Sequence, residues 1–248
     1  MSENRENEKQ GVAFGCPNSC IDCGVFNCGR QDKKYPDFCL TTGLTKEEYE
    51  ELEELYHDPI NQRIAVASAE VEGAFYQQLT RVEETMEFAK RIGAKKLGIA
   101  SCVGLIQESK LLAKILRLNG FEVYGAACKV GAMKKTETVG LDEAYTCQTG
   151  NVMCNPIAQA KLLAKQGVDL NIMMGLCCGH DSLFLKYAKG PTTVLVVKDR
   201  VLGNNPVQAL YQASAYYKRL LMDPKQREEY EKKKEEADRR IAEAEKKD

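Results

Sequence analysis

The chain has 248 residues, 44% of them hydrophobic, which is enough to bury a core of ordinary size. Its 35 Lys and Arg nearly balance its 36 Asp and Glu, so the overall charge gives no reason to expect a nucleic-acid or anionic membrane partner. The polar start MSENRENEKQ and the shortness of every apolar run predict a cytoplasmic protein without a membrane segment. The cysteine count, 11, is odd, and cytoplasmic thiols stay reduced, so we expect metal or redox chemistry rather than disulfides.

The first 44 residues carry a closely spaced group of five cysteines. They follow the pattern C-x3-C-x2-C-x4-C with one more cysteine after ten intervening residues: Cys16, Cys20, Cys23, Cys28 and Cys39. The surrounding Gly, Asn, Asp and Pro residues predict loop, and a bound metal would replace the missing hydrophobic core. Residues 1–44 are therefore predicted to be a cysteine-rich metal-binding segment for zinc or an iron-sulfur cluster, with one cysteine spare.

The first three cysteines also share their C-x3-C-x2-C spacing with radical S-adenosylmethionine enzymes. Such enzymes usually have an aromatic residue before the third cysteine and a partial barrel of more than four strands. Here Asp22 precedes the third cysteine, and the later sequence predicts only four strands. Both departures argue against that activity, because a short motif means little without its structural context.

Residues 45–223 are predicted to form a helical lead-in and one α/β domain. Thr45 and Glu48 form a capping-box pattern that begins a helix, and apolar residues at helical spacing then predict one long amphipathic helix from Ile64 to Gly93. Four short apolar runs alternate with helices beyond it, at 96–100, 121–127, 170–175 and 193–197. This alternation predicts a Rossmann-like open parallel sheet of about four strands with flanking helices.

The C-terminal part begins with Asn205-Pro206, a helix start signal, and we expect that helix to carry Val207, Leu210 and Tyr217 on one face. Residues 224–248 interleave both charge signs and contain almost no apolar residues. They are predicted to be a solvated helix or a disordered tail.

The remaining cysteines are dispersed, and most of them follow predicted strands. Cys102 follows the first strand, Cys128 the second, and Cys177 with Cys178 the third, while Cys154 directly precedes the helix start at Asn155-Pro156. Because ligands bind at the carboxyl ends of parallel strands, these thiols are expected to converge on one site for an iron-sulfur cluster or zinc. Cys147 lies away from any strand end, and simple burial explains it equally well.

Other polar residues flank the same predicted edge. His180 follows the Cys177-Cys178-Gly179 triplet and could be a metal ligand, a proton donor or a helix cap. Lys129, Lys198 and Arg200 follow strands and could bind an anionic substrate, although charged loop residues are ordinary. The sequence contains no G-x-G-x-x-G and no phosphate loop, so nucleotide binding has no motif support.

Several segments together resemble a family of cysteine-rich metal-binding proteins, uncharacterised in function and common in anaerobic bacteria and archaea. The resemblance is carried by GLCCGHDSLFLKYAKGPTTVLVVKDRVLGNNPVQALY, by CNPIAQAKLL and by the early cysteines with YPDFC. It implies one metal-site set at Cys20, Cys23, Cys28 and Cys39, with Cys16 as an extra. It also implies a core set at Cys102, Cys128, Cys154 and Cys177, and leaves the role of Cys178 open. The Cys-Cys-Gly triplet is also similar to part of the CCG motif of heterodisulfide reductase subunits, whose later C-x2-C is absent here.

These observations predict an iron-sulfur protein of anaerobic metabolism, holding one or two clusters of the 4Fe-4S type. Its chemistry would be electron transfer or the conversion of a small sulfur-containing or one-carbon molecule, with His180 donating a proton. The expected partners are an electron-transfer protein or a small ligand, and the chain could form a homo-oligomer. The alternative is a structural or regulatory zinc protein whose charged tail docks a partner.

Overall fold

The computed structural model describes residues 17–245, so Cys16 lies outside the described residues. The chain divides into two compact units between Val66 and Ala67. The domain boundaries expected at residues 44/45 and 223/224 stay predictions.

The N-terminal unit consists of loop and helix. It contains a 3-10 turn at Cys20–Asp22, helix α1 at Leu40–Gly43, helix α2 at Lys46–His57 and the start of helix α3, which spans Pro59–Phe75. The predicted capping box of α2 is present, with the Glu48 N–H donating to Thr45 Oγ1 at 3.2 Å. Among residues 17–44 only Asn27 is buried, and its side-chain amide bonds to the backbone of residues 32 and 33. The cysteine-bearing loop is therefore organised by polar contacts instead of an apolar core.

The prediction of one long helix from Ile64 to Gly93 is wrong, because two helices occupy this stretch. Helix α3 ends at Phe75, and helix α4 covers Arg81–Arg91. Between them Gln77 has a positive φ of 58°, which no helix accommodates. Thr80 then caps α4 by a second capping box with Glu83, a signal that the continuous apolar periodicity concealed.

The second unit is built on a four-stranded parallel sheet, which confirms the predicted α/β fold. Its strands are β1 at Lys96–Ser101, β2 at Glu122–Ala127, β3 at Leu170–Met174 and β4 at Thr192–Val196, in the spatial order β2-β1-β3-β4. All three pairings are parallel, and the register aligns Ser101 with both Ala127 and Met174. Consequently β1, β2 and β3 end at the same level.

Helices cover both faces of this sheet. Helix α5, Ile106–Leu118, packs on β1 and β2, and Ser109 of α5 shares a 2.6 Å hydrogen bond with Ser101. Helix α7, Pro156–Lys165, also packs on β1 and β2 and contacts helix α8, His180–Tyr187. Since successive strand residues point to opposite faces, Ala100 faces α7 where Ser101 faces α5. The α7 face holds a buried cluster of Ala100, Ala126, Ala160, Leu163, Met173, Leu176 and Phe184.

The remaining elements are short or exposed. Between β2 and α7 lies helix α6 at Lys135–Thr138, and after β4 come helix α9 at Val207–Tyr211 and helix α10 at Pro224–Glu245. The expectation that one helical face would carry Tyr217 is wrong. Beyond α9 the chain makes turn bonds such as Ala215 N–H to Gln212 C=O at 3.0 Å instead of continuing the helical pattern. Within residues 17–245, no helix has the length and apolar content needed to cross a membrane.

Candidate metal centre

The carboxyl ends of β1 and β3 meet at the point where the strand order reverses. From β1 the chain moves outward to β2, and it returns across β1 to form β3 on the other side. In open α/β sheets this switch point leaves a crevice between neighbouring loops, which is where ligands bind. Cys102 directly follows β1, and Cys177 lies three residues beyond the end of β3.

Four cysteines line one cavity at this edge. The cavity has a volume of about 660 Å³. Its cysteines come from four separate segments of the second unit and are Cys102, Cys128, Cys154 and Cys177. Cys102 and Cys128 are buried, and the other two are partly exposed. The fold thus brings to one cavity thiols that are up to 75 positions apart in the chain.

Backbone hydrogen bonds fix three of these segments to one another. The Cys102 N–H donates to the Met174 carbonyl at 3.0 Å, and the Cys128 N–H donates to the Ser101 carbonyl at 2.8 Å. The Asn155 N–H in turn donates to the Cys128 carbonyl at 2.7 Å. Because these bonds extend the sheet ladder past its last paired residues, the three thiols are carried on backbone of little freedom.

Gln159 of α7 reinforces the same strand ends from below the cavity. Its side chain is fully buried, and Nε2 donates to the Ser101 carbonyl at 3.1 Å and to the Ala126 carbonyl at 2.7 Å. Its Oε1 is buried without a hydrogen-bond partner among the described residues. The unsatisfied oxygen by itself destabilises the fold. Any stabilising effect of Gln159 therefore comes from the two strand ends that its Nε2 joins.

The thiols interact electrostatically with one another. The pKa of Cys128 is raised to about 11, mainly by burial and also by the neighbouring thiols of Cys154 and Cys102, although a hydrogen bond from the Val103 N–H at 3.3 Å lowers it. Burial also raises the pKa of Cys177, and the Arg200 guanidinium, which donates to Cys177 Sγ at 2.9 Å, opposes that shift. Because like charges disfavour ionisation, four thiolates in this cavity would need nearby positive charge, from a bound metal or from basic side chains, to offset their repulsion.

The four thiols line a cavity and are not gathered around a single metal position. Within the described part of the chain, no three Cys, His, Asp or Glu side chains are placed so that they could hold one metal ion. A tetrahedral zinc site with sulfur at about 2.3 Å needs sulfur atoms only ~3.8 Å apart. The described side chains therefore do not form a closed single-ion site.

The cavity wall also carries four basic side chains: Lys129, Lys135, Lys198 and Arg200. Lys198 Nζ lies 3.6 Å from the position that a Cβ on Gly104 would take, and Cys102 Sγ lies 3.8 Å from the same position. The described lining contains no carboxylate. When the thiols are protonated, the four basic side chains therefore give the cavity a positive electrostatic potential.

His180, the first residue of α8, lies on the cavity wall as well. Burial lowers its pKa, and the positive charges of Lys129 and Arg200 lower it further, against a smaller raising effect of Asp181. Its Nδ1 is buried and has no hydrogen-bond partner among residues 17–245. The imidazole is therefore neutral near pH 7 and keeps one nitrogen available.

The other predicted ligands lie elsewhere. Cys178 and Cys147 are exposed, and neither belongs to the cavity lining. In the N-terminal unit Cys20 and Cys28 are exposed, and Cys23 and Cys39 are partly exposed. Thr41 Oγ1 donates to Cys28 Sγ at 3.7 Å, and a hydrogen bond from the Thr42 backbone lowers the pKa of Cys39. Cys28 and Cys39 therefore both lie at the start of α1.

Sequence patterns had not singled out Lys135 and Gln159. Lys135 reaches the cavity because residues 129–155 fold back, with an antiparallel bridge between Lys134 and Val152. No local signal reveals such a bridge. Gln159 lies three residues after Pro156 on the apolar side of α7. A polar residue at an apolar helical position was the one sequence signal that could have indicated its buried role.

Known proteins similar to this chain leave its activity open. Residues 39–195 match a family described as "Protein of unknown function (DUF1847)". "Uncharacterized protein MJ0455" of Methanocaldococcus jannaschii is 43% identical over 199 residues, which are 80% of this chain and 99% of that protein. A solved structure, Dph2 from Pyrococcus horikoshii with a 4Fe-4S cluster, matches with a TM-score of 0.31 and 24% identity, over 56% of this chain and 32% of that one. A score that low carries no weight for function, whereas the first two matches show that the chain belongs to the DUF1847 family.

Proposed function

We propose that this protein is a redox protein that binds an iron-sulfur cluster, of the 4Fe-4S type, in the cavity at the carboxyl end of its sheet. The ligands would be the thiolates of Cys102, Cys128, Cys154 and Cys177. The observation that carries the proposal is that four cysteines from four separate segments line one cavity. Thiolates are the usual ligands of such clusters, and they seldom converge in a protein whose thiols are merely buried hydrophobes.

The lack of a closed single-ion site among the described residues supports a cluster over a single zinc ion. A cluster places its own iron and sulfide ions between the thiolates, so its ligands stand further apart than those of one ion. No trio of described ligands is compact enough for one ion. A zinc site would require these segments to close in, although hydrogen bonds hold Cys102 and Cys128 to the sheet.

The surroundings of the thiols suit an anionic group. The Val103 N–H already points at Cys128 Sγ, and Arg200 contacts Cys177 Sγ. Hydrogen bonds and positive charge at the ligand sulfurs stabilise the reduced state of a cluster and raise its potential. We infer that these two groups tune the centre and that Arg200 keeps Cys177 ionised.

When bound, the cluster would supply a one-electron couple or, with one thiolate displaced, a Lewis-acid position for a small ligand. His180 would exchange a proton with that ligand from the cavity wall, since its imidazole is neutral and partly open to the cavity. Both an electron-transfer partner and a small-molecule substrate are compatible with this arrangement. The size and composition of the cavity favour the substrate.

We also propose a second metal site at Cys20, Cys23, Cys28 and Cys39 in the N-terminal unit, whose exposed or partly exposed thiols would have to close in to hold zinc or another cluster. Residues 17–44 bury only Asn27, so packing cannot fix this loop. A metal would supply the missing free energy of folding. The role of that site would be structural.

The test is anaerobic purification of the full chain and of four variants, each with one core cysteine replaced by serine. Iron, sulfide and zinc are measured, and the reduced protein is examined by electron paramagnetic resonance. We expect iron and sulfide in the wild type and loss of at least about half of the core cluster signal in each variant, because even the loss of a group that only supports a ligand usually costs about 10- to 100-fold in metal affinity.

Cys178→Ser and Cys147→Ser are the matched controls, since both side chains are exposed and lie outside the cavity. They should leave the iron content and the spectrum unchanged. A colourless protein containing only stoichiometric zinc would refute the redox proposal and favour the zinc-binding alternative. Equal iron content in all four core variants would show that the core thiols are not the ligands.

A further inference from the structure

The cavity that we assign to the metal centre contains an excess of positive charge. Its four basic residues come from three segments, the loop after β2, helix α6 and the loop after β4, and three of them, Lys129, Lys135 and Lys198, are partly buried. Withdrawing an ammonium group from water is costly, and a nearby carboxylate is one way to offset that cost. Over the described residues, none of the four basic side chains has an ion-pair partner at 4.0 Å or less.

Neutral groups hold these cations in place. Lys129 Nζ donates to the Val152 carbonyl, and Lys135 Nζ donates to Thr149 Oγ1 at 2.6 Å and to the Gly150 carbonyl at 2.7 Å. Such bonds fix the position of an ammonium group and leave its charge unbalanced. The loop after β2 and helix α6 therefore each present a fixed positive charge at the cavity.

The thiols account for only part of this charge. A 4Fe-4S core with four thiolate ligands carries a net charge of about −2. Against four cations this leaves a surplus of about two positive charges in a partly enclosed space. A cluster of about eight core atoms would also fill only part of a 660 Å³ cavity.

The rest of the wall is apolar. It includes Val139 and Leu141 from the segment after α6, Met153 beside Cys154, and Leu183 of α8. A cavity with apolar walls and a few fixed charges is typical of sites for small organic molecules.

We propose that this cavity binds a small organic acid, with its carboxylate or phosphate group on Lys129, Lys135 and Lys198 and its carbon skeleton against Val139 and Leu141. This inference deepens the proposed function and rests on it, because the acid would be the substrate of the metal centre. Arg200 is left out of the acid's binding set because it already contacts Cys177.

Calorimetric titration of the anaerobically purified full chain tests this assignment. The probes are succinate and inorganic phosphate, and succinamide is the neutral analogue of the first. We expect succinate to bind at least about tenfold more tightly than succinamide, because charge-assisted hydrogen bonds are about twice as strong as neutral ones. Lys135→Gln and Lys198→Gln should each weaken succinate binding by about tenfold.

Lys134→Gln is the matched control, since Lys134 is adjacent to Lys135 but pairs with Glu137 and is exposed. It should leave the affinity within about twofold of wild type. Circular dichroism checks that each variant is folded, and the two cavity variants on separate segments guard against one local disturbance. Equal affinities for succinate and succinamide, or equal losses in the cavity variants and Lys134→Gln, would overturn the inference.

Iron and sulfide are measured on the same samples, which separates the two proposals. Iron-loaded protein that fails to distinguish succinate from succinamide refutes the acid site alone. Protein without iron that still prefers succinate, with the expected losses in the variants, refutes the metal centre and supports the acid site.

Discussion

Gly175→Ala is expected to destabilise the second unit more than an ordinary glycine substitution. Gly175 follows the last residue of β3 with a φ of +64°, and a Cβ at this position would lie 2.2 Å from Leu105 Cδ1 and 3.5 Å from Leu105 Cγ. Leu105 is 6% exposed, so its side chain has little room to rotate. The Leu105 N–H donates to the Cys102 carbonyl, so the collision would separate the turn that carries Cys102 from the loop that carries Cys177.

The expected loss of unfolding free energy in Gly175→Ala combines a backbone effect and a packing effect. A non-glycine residue in the left-handed region costs about 1–2 kcal/mol. Overpacking a buried contact adds about 1–3 kcal/mol, so the free energy of unfolding should fall by about 2–5 kcal/mol in total. Gly150→Ala is the control, because Gly150 has a similar φ of +70° and no neighbouring atom within 4 Å of the added Cβ. It should cost only the backbone part, about 1–2 kcal/mol.

The assay is urea denaturation of the metal-free chain followed by circular dichroism, so that metal binding does not enter the comparison. In the double variant Gly175→Ala/Leu105→Ala the collision is removed. Its loss of stability should therefore fall short of the sum of the single losses by about 1–3 kcal/mol. Equal losses for Gly175→Ala and Gly150→Ala, or additivity in the double variant, would refute the assigned cause.

Three further outcomes are expected. Gln159→Met, which keeps the volume but removes both bonds to the strand ends, should lower the free energy of unfolding by about 1–3 kcal/mol in urea titrations and should lower iron retention; unchanged values would show that Gln159 does not position the thiols. Thr80→Ala should cost about 1 kcal/mol by loss of the α4 cap. The side-chain hydrogen bond from Thr80 is one of the bonds that lower the pKa of Glu83 below its ordinary 4.5, so its contribution is present above pH 4.5 and is lost as the pH falls through the lowered value; the stability difference between variant and wild type should therefore shrink in acid. Truncation after residue 223 should shift the thermal midpoint by less than about 2 °C, since the described side chains of α10 are exposed, and a larger loss would reveal packing by the tail.

The sheet and its cysteine edge were predictable because they depend on local pattern. Strands β1 and β3 are central in the sheet, and nearly all of their residues are buried. Their sequences are therefore continuous apolar runs, which made both strands predictable. Cysteines directly after these strands had to lie at the same edge. Only topology was needed to bring Cys102 and Cys177 together.

The features that the sequence did not reveal depend on contacts between distant residues. The break between α3 and α4 escaped prediction because its apolar spacing continues across Thr80, whose capping role depends on Glu83 alone. Lys135 reaches the cavity through the bridge between Lys134 and Val152, which links segments about 18 residues apart. The separation of the thiols, which decides between an ion and a cluster, is likewise a property of packing and not of spacing.

The most direct measurement of the central claim is an anomalous diffraction map from anaerobically grown crystals, recorded at the iron and zinc absorption edges. The account predicts an iron signal inside the cavity, within bonding distance of the sulfur atoms of Cys102, Cys128, Cys154 and Cys177. An iron-loaded crystal with signal only at the N-terminal cysteines, or a core site that scatters at the zinc edge alone, would contradict it.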